Sequence, residues 1–181
     1  LLVCNAEQPA KTVPDLIALC KARPGHVTFG SAGPASAQHL ALELFKHQAK
    51  IFAVHIPYRG SAPLITDLIG GQVQYSFDTM TAATPHVRSG KLIAVAQTRP
   101  TRSKAYPNVP TMAELGFRGH ESDTITGMLM PAGTPPAIVK KLHAETVRVI
   151  LLPDVKARIA EQGYNIIVSS PQEFTEKIRM E

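Results

Sequence analysis

Between Val27 and Gln97 the sequence repeats one unit: a short apolar run, a turn of small residues, then an apolar stripe at helical spacing. The runs are Val27 to Gly30, Ile51 to Pro57 (with Phe52, Val54 and Ile56 alternating), Val73 to Phe77 and Leu92 to Gln97. Each is too short for a stable helix and is bounded by turn residues, so each reads as a strand. The helical stripes are Leu40, Ala41, Leu44 and Phe45 within Ser36 to Gln48, and Leu64, Ile65, Leu68 and Ile69 before Gly70-Gly71. A third helix runs to Arg88 and is closed by Ser89-Gly90. Strands that alternate with helices make a parallel-rich sheet flanked by helices, joined by right-handed crossovers, an α/β fold. In such sheets the strand-to-helix turns collect along the carboxyl edge, where ligands bind.

The first of these turns lies in Thr28 to Leu40. Gly30 and Gly33 permit positive φ or close approach of another group. Ser36 is placed to cap the following helix, whose remaining free N–H groups and positive dipole end suit a carboxylate. Taken alone the stretch reads first as a plain strand-to-helix turn; similar turns at Tyr58 to Pro63 and Asp78 to Thr81 make it one of a set. In the second turn Ser61 is a plausible N-cap, and Pro63 suits a first helical turn.

Outside the repeat, Leu1 to Asn5 reads as a strand and Val13 to Lys21 as a helix stopped by Arg23-Pro24-Gly25. After a proline-containing connection from Arg99 to Pro110, a short helix is expected at Thr111 to Leu115 and extended chain at Glu121 to Met130. Thr134 reads as a cap for a helix opened by Pro135 or Pro136 and reaching Ile150. Pro153 to Gln162 reads as another helix, Gly163 to Val168 as a last strand, and Pro171 opens a helix after Ser169-Ser170. That helix is still running at Glu181, which suggests an interrupted element.

Hydrophobic residues make up 44% of the 181, enough for a sizeable core. No apolar run is long enough to span a bilayer, and Leu1-Leu2-Val3-Cys4 lacks the basic flank and length of a signal peptide. The net charge of +5 is scattered, without aromatic residues interleaved among the bases, so no nucleic-acid partner is expected. Cys4 and Cys20 are too few for a zinc site; they read either as one disulfide or as two buried thiols. No nucleophile elbow and no phosphate-binding Gly-Lys-Ser/Thr turn occurs. A triad of Ser36, His39 and Asp78 is conceivable but no matched acid and base supports it. No metal set and no cofactor motif is evident, so no catalytic residue is assigned.

Several segments together resemble the substrate-binding proteins of tripartite tricarboxylate transporters, the Bug-type periplasmic receptors. They are Phe29-Gly30-Ser31-Ala32-Gly33 with Ser36, His39 and Leu40; His55 to Pro63; Asp67 to Val73; Phe77-Asp78; Pro85 to Leu92; Pro107 to Thr111; and Pro131 to Pro135. They follow the family's order over nearly the whole chain. The resemblance implies a two-lobed type II periplasmic-binding-protein-like fold, no catalysis and no cofactor. It implies a small carboxylate as ligand, membrane permease subunits as partners and a periplasmic location, with no insertion into the membrane. Residues 1–120 would be a complete second lobe and residues 121–181 the returning part of a first lobe whose opening segment this sequence lacks. At Ile125 and Thr126 the family often has aromatic residues facing the cleft.

By the same resemblance, Ser31, Ala32, Gly33 and Ser36 with Tyr58, Arg59, Gly60 and Ser61 would offer backbone N–H groups to a carboxylate. Asp78 and Thr79 would present polar groups to the other end of the ligand. Arg59 is either a counter-ion or a solvated rim charge, while His39 would brace its turn and His86 support its own helix. A sensor subunit docking on a signalling partner, or a hydrolase using the same cleft, are the alternative functions. A partial first lobe would leave strand edges unpaired, so self-association is expected of these 181 residues alone.

Overall fold

The computed structural model describes residues 1–122, 125–162 and 164–180. Two compact units divide the chain, Leu1–Thr124 and Ile125–Glu181. In the first, five strands alternate with four helices: β1 (Leu2–Asn5), α1 (Val13–Ala22), β2 (Thr28–Ser31), α2 (Ala37–Ala49), β3 (Val54–Pro57), α3 (Ser61–Ile69), β4 (Tyr75–Phe77), α4 (Met80–Arg88) and β5 (Leu92–Ala96).

The sheet order is β3-β2-β4-β1-β5. β2 lies parallel to both β3 and β4, as the strand–helix repeat predicts. β1 departs from that pattern, inserting antiparallel between β4 and β5 with Leu2 opposite Phe77 and Val3 opposite Ala94. Its alternate residues feed opposite faces. Leu2 and Cys4 pack with Phe29, Phe45, Tyr75 and Phe77, whereas Leu1 and Val3 pack with Leu68, Val73, Ala83 and Leu92. A strand buried on both faces reads as an unbroken apolar run, which is what Leu1 to Cys4 is.

Buried polar groups in this unit are largely paired. At the end of β1, Asn5 donates from Nδ2 to the carbonyls of Leu68 and Ile69 at 2.9 Å each, satisfying acceptors at the carboxyl end of α3. The Tyr75 hydroxyl donates to Ala10 O at 2.9 Å. His120, only 1% exposed, stacks obliquely on Phe77 and pairs through Nδ1 with Gln48 Oε1 at 3.1 Å. Burial lowers its pKa to about 4 and so keeps the ring neutral. Cys4 and Cys20 are free and buried, and burial raises both thiols to about 11. Of the two readings of the cysteines, the structure contains the buried thiols.

Several local expectations need correction. The buried stripe of α2 is Ala41, Leu42, Phe45 and Ala49; Leu40 is 62% exposed and Leu44 only half-buried, so the stripe is rotated from the expected one. Ser61 is not a cap: it is the first residue of α3, behind Gly60 at φ 111°, and its hydroxyl is taken by Asp78. Thr111 to Leu115 is a single turn rather than a helix. It is closed by a reciprocal pair, Glu114 N–H to Thr111 Oγ1 at 3.1 Å and Thr111 N–H to Glu114 Oε2 at 2.8 Å.

The second unit contains α5 (Pro136–Ile150), α6 (Pro153–Glu161) and α7 (Pro171–Met180). Thr134 does not cap α5; its hydroxyl bonds Pro131 O at 2.8 Å and Pro135 occupies the cap position. Ser170 does cap α7, accepting from Glu173 N–H at 3.2 Å. The last strand is absent among the described residues: Tyr164 to Val168 join no sheet, the Tyr164 N–H bonding back to Ile159 O at 3.2 Å, and Ile167 is 72% exposed. Gly163, where that strand was to begin, lies outside the described residues, as do Asp123 and Thr124 of the expected extended segment and Glu181 at the end of the last helix. No residue of α5, α6 or α7 is buried among those described.

Candidate functional site

Because β2, β3 and β4 run parallel, the turns that follow them leave the sheet at one edge, and the register places Ser31 opposite Pro57 and Gly30 opposite Ser76. Cross-turn hydrogen bonds draw the turns together. Tyr58 N–H donates to Ser31 O at 2.9 Å, and Gly60 N–H donates to Ala32 O at 3.1 Å. Ser61 Oγ donates to Asp78 Oδ1 at 2.9 Å, tying the second turn to the third. Gln38, on the first turn of α2, reaches Asp78 Oδ1 at 3.4 Å and Ser61 Oγ at 3.5 Å through Nε2. Ser31, Ala32, Gly33, Ser36, Tyr58, Arg59, Gly60, Ser61, Asp78 and Thr79, the residues assigned to ligand binding from the sequence, lie in these three turns or at the helix starts they lead into.

The first turn is tightly wound. Ser31 Oγ donates to Gly33 O at 3.1 Å and accepts from Gly33 N–H at 3.2 Å. Ser36 Oγ donates to Gly33 O at 2.7 Å and caps α2 by accepting from His39 N–H at 3.3 Å. Gly33 has φ 143°, and a Cβ there would stand 3.4 Å from Tyr58 O of the second turn. Ala35 takes the left-handed φ of 58°, unusual for a residue with a side chain. Its N–H donates to His39 Nδ1 at 3.0 Å, so His39 does brace the turn.

Three helix N-termini open at this edge, their first N–H groups lacking intrahelical acceptors. α3 opens without any side-chain cap, whereas Ser36 and Thr79 cap α2 and α4. Exposed backbone donors and three positive dipole ends are an arrangement that holds anions. Asp78 sits within it, 4% exposed, with Oδ1 accepting from Thr79 N–H at 2.7 Å, Ser61 and Gln38. Its Oδ2 is buried without a partner among the described residues, and burial raises the pKa of the carboxyl.

The Tyr58 hydroxyl is turned to α3, where it donates to Asp67 Oδ2 at 2.9 Å; burial raises it to about 12. Tyr58 therefore meets the site through its backbone, with its N–H given to Ser31 O. Arg59 is exposed and makes no ion pair among the described residues. Sequence reasoning missed Gln38 and the partnership of His39 with His55. A polar residue two positions past the Ser36 cap was the available signal for Gln38; His55 had none, because its partner stands on another element.

A hydrolytic triad is not assembled. Ser36 Oγ is engaged by backbone, His39 Nδ1 by Ala35 N–H, and Asp78 by Thr79, Ser61 and Gln38. Among the described residues no group of three or more His, Cys, Asp or Glu is disposed to hold a metal, and no helix is long and apolar enough to cross a membrane.

Comparison with known proteins matches residues 1–181 to the receptor family of tripartite tricarboxylate transporters. Protein BugT of Bordetella pertussis is 36% identical over 173 residues, 96% of this chain and 53% of the relative. The chain spans about half the length of the curated relatives it matches first. Among solved structures, one described as a periplasmic transporter superposes with a TM-score of 0.95 at 34% identity. Rpa4515 of R. palustris with adipate gives 0.94 at 29%, each alignment covering 99% of this chain and 60% of the other. MatC of Rhodopseudomonas palustris with bound malate gives 0.84 at 29% identity, over 96% of this chain and 58% of that one.

Proposed function

This chain belongs to the receptor family of tripartite tricarboxylate transporters, and from that premise we propose that it captures a small carboxylated metabolite for a membrane permease of that type. It acts in the periplasm and releases its ligand unchanged. Residues 1–120 serve as the second lobe of the receptor and residues 121–181 as the returning part of the first. The carboxylate is held by the backbone N–H groups that the turns at Ser31 to Ser36 and Tyr58 to Ser61 leave unspent, at Ala32, Arg59 and Ser61, directly or through ordered water. Asp78 and Thr79 face the remainder of the ligand.

The observation that supports this reading is the convergence of the three turns, with uncapped N–H groups at the head of α3 and glycines at positions 33 and 60 leaving the backbone bare. Adipate and malate, the ligands named for two structural neighbours, are the first probes to use. Calorimetry of the full-length product of the gene that encodes this chain should show saturable binding of at least one dicarboxylate, recovered chemically intact. Absence of binding across a series of mono-, di- and tricarboxylates, or turnover of the bound compound, would refute the proposal.

The 181 residues taken alone should behave differently. Helices α5, α6 and α7 bury no residue, and Leu129 and Ile167 are 74% and 72% exposed. Apolar faces of this kind associate with one another in water. Sedimentation velocity should detect dimers or larger species at micromolar concentration. A monodisperse monomer that melts cooperatively would show that these faces are not sticky enough to matter.

A further inference from the structure

Behind the first turn, two histidines from different elements stack face to face. The rings of His39 on α2 and His55 on β3 are 4.0 Å apart between centroids and only 11° from parallel. Each is bonded to one end of the same turn: His55 Nε2 lies 2.7 Å from Ser31 Oγ, and His39 Nδ1 accepts the Ala35 N–H at 3.0 Å. We propose that His39 and His55 are positioning residues of the Ser31–Ser36 turn: His55 donates to Ser31 Oγ in either charge state, whereas His39 holds the Ala35 end only while its Nδ1 is unprotonated, so acid loosens the turn.

The argument rests on which atom does the accepting. A backbone N–H can donate to Nδ1 only while that nitrogen carries no proton. Adding one replaces an acceptor by a donor and sets two N–H groups against each other at Ala35. That residue is held at φ 58°, a conformation that costs energy and relies on its surroundings. Protonation of both rings would also set two like charges face to face at the stacking distance.

The charged groups around the pair are few. On α2, Glu43 Oε1 is 3.7 Å from His39 Nε2, and Lys46 binds the same carboxylate at 2.8 Å. From β2 comes only the neutral Ser31. Glu43 favours a proton on His55 and Lys46 opposes it, and among the described residues no second carboxylate is paired with either ring. Burial and the neighbouring His39 both lower the pKa of His55, in keeping with a stack that resists full protonation. Histidine is the side chain that most readily exchanges an acceptor nitrogen for a donor near neutral pH, and here that exchange falls on a bond that holds the turn.

The pairing is a property of the turn itself and is tested without ligand, so it can fail while the receptor reading stands, and the reverse. Backbone hydrogen exchange of peptides covering residues 31–36 is followed by mass spectrometry in the whole chain, corrected with an unfolded reference. From about pH 8 to about pH 5, protection should fall roughly fivefold or more, while β1 and β4 stay protected. His39→Phe, which keeps a ring to stack but no acceptor, should leave the turn unprotected throughout. His39→Asn, whose Oδ1 stands where Nδ1 did and can accept from Ala35 without titrating, should keep it protected throughout. Corrected protection that is flat with pH in the unmodified chain overturns the proposal. So does a His39→Phe chain that retains it, or a His39→Asn chain that fails to restore it at the alkaline end.

Discussion

Replacing Gly30 by valine is expected to lower the melting temperature of the chain on the order of 10 °C, a loss of about 3 kcal/mol. The residue lies in β2 under α3. A Cβ at that position would collide with Leu64 Cδ1 and stand 3.2 Å from Val73 Cγ1 and 3.4 Å from Tyr58 Cε2. Leu64 and Val73 are both fully buried, so neither side chain has open space to swing into. Overpacking a close-packed interior forces strained rotamers or separates the helix from the sheet. The partner substitution makes the test specific. Leu64→Ala alone should cost about 3 kcal/mol through the cavity it leaves. With both changes the valine fills space that Leu64 has vacated, and the combined loss should be smaller than the sum by about 1 kcal/mol or more. Thermal and urea denaturation of the three variants would decide it; strictly additive costs would mean that α3 does not press on Gly30 as described.

The second large effect is expected at Gly33, on binding rather than folding. Gly33→Val places a β-branched side chain at φ 143°, where side chains are rarely tolerated, and 3.4 Å from the Tyr58 carbonyl. The added bulk enters the space between the first and second turns, where the proposed carboxylate must approach the backbone. Affinity for the bound dicarboxylate should fall about thirtyfold or more, equivalent to about 2 kcal/mol, the scale of a charge-assisted hydrogen bond lost in a dry site. Arg59→Ala should weaken binding by less than about fivefold, or about 1 kcal/mol, because the side chain is exposed and solvated. Both variants must keep the circular dichroism of the parent. If calorimetry finds instead that Arg59→Ala abolishes binding and Gly33→Val spares it, a salt bridge and not the backbone carries recognition.

Gly30 and Gly33 also separate what a sequence can say from what packing says. Both were read as places for positive φ or close approach. Gly33 adopts such a φ, but Gly30 does not; it is small because α3 lies on it. The distinction depends on a leucine 34 positions away, and no local pattern carries it. Ser61 is a similar case. Serine before an apolar stripe suits a cap, yet its hydroxyl is used by Asp78 from another strand end.

By itself the sequence determined the order of strands and helices in the first unit, the parallel relation of β2, β3 and β4, and the family. Those follow from the period of the apolar residues, from glycine, proline and serine at the turns, and from motifs that hold their spacing along the chain. Only the tertiary structure decided that β1 enters the middle of the sheet antiparallel. Leu2 to Cys4 are buried on both faces, so their uniform apolarity carries no sign of direction or neighbour. It also decided that Gln38, Ser61 and Asp78 share one network, that His39 stacks on His55, and that Tyr164 to Val168 form no strand. In each case the deciding partner is distant in sequence. A strand exists only with another strand beside it, and a side chain's role is set by whatever the fold brings within hydrogen-bonding or stacking distance.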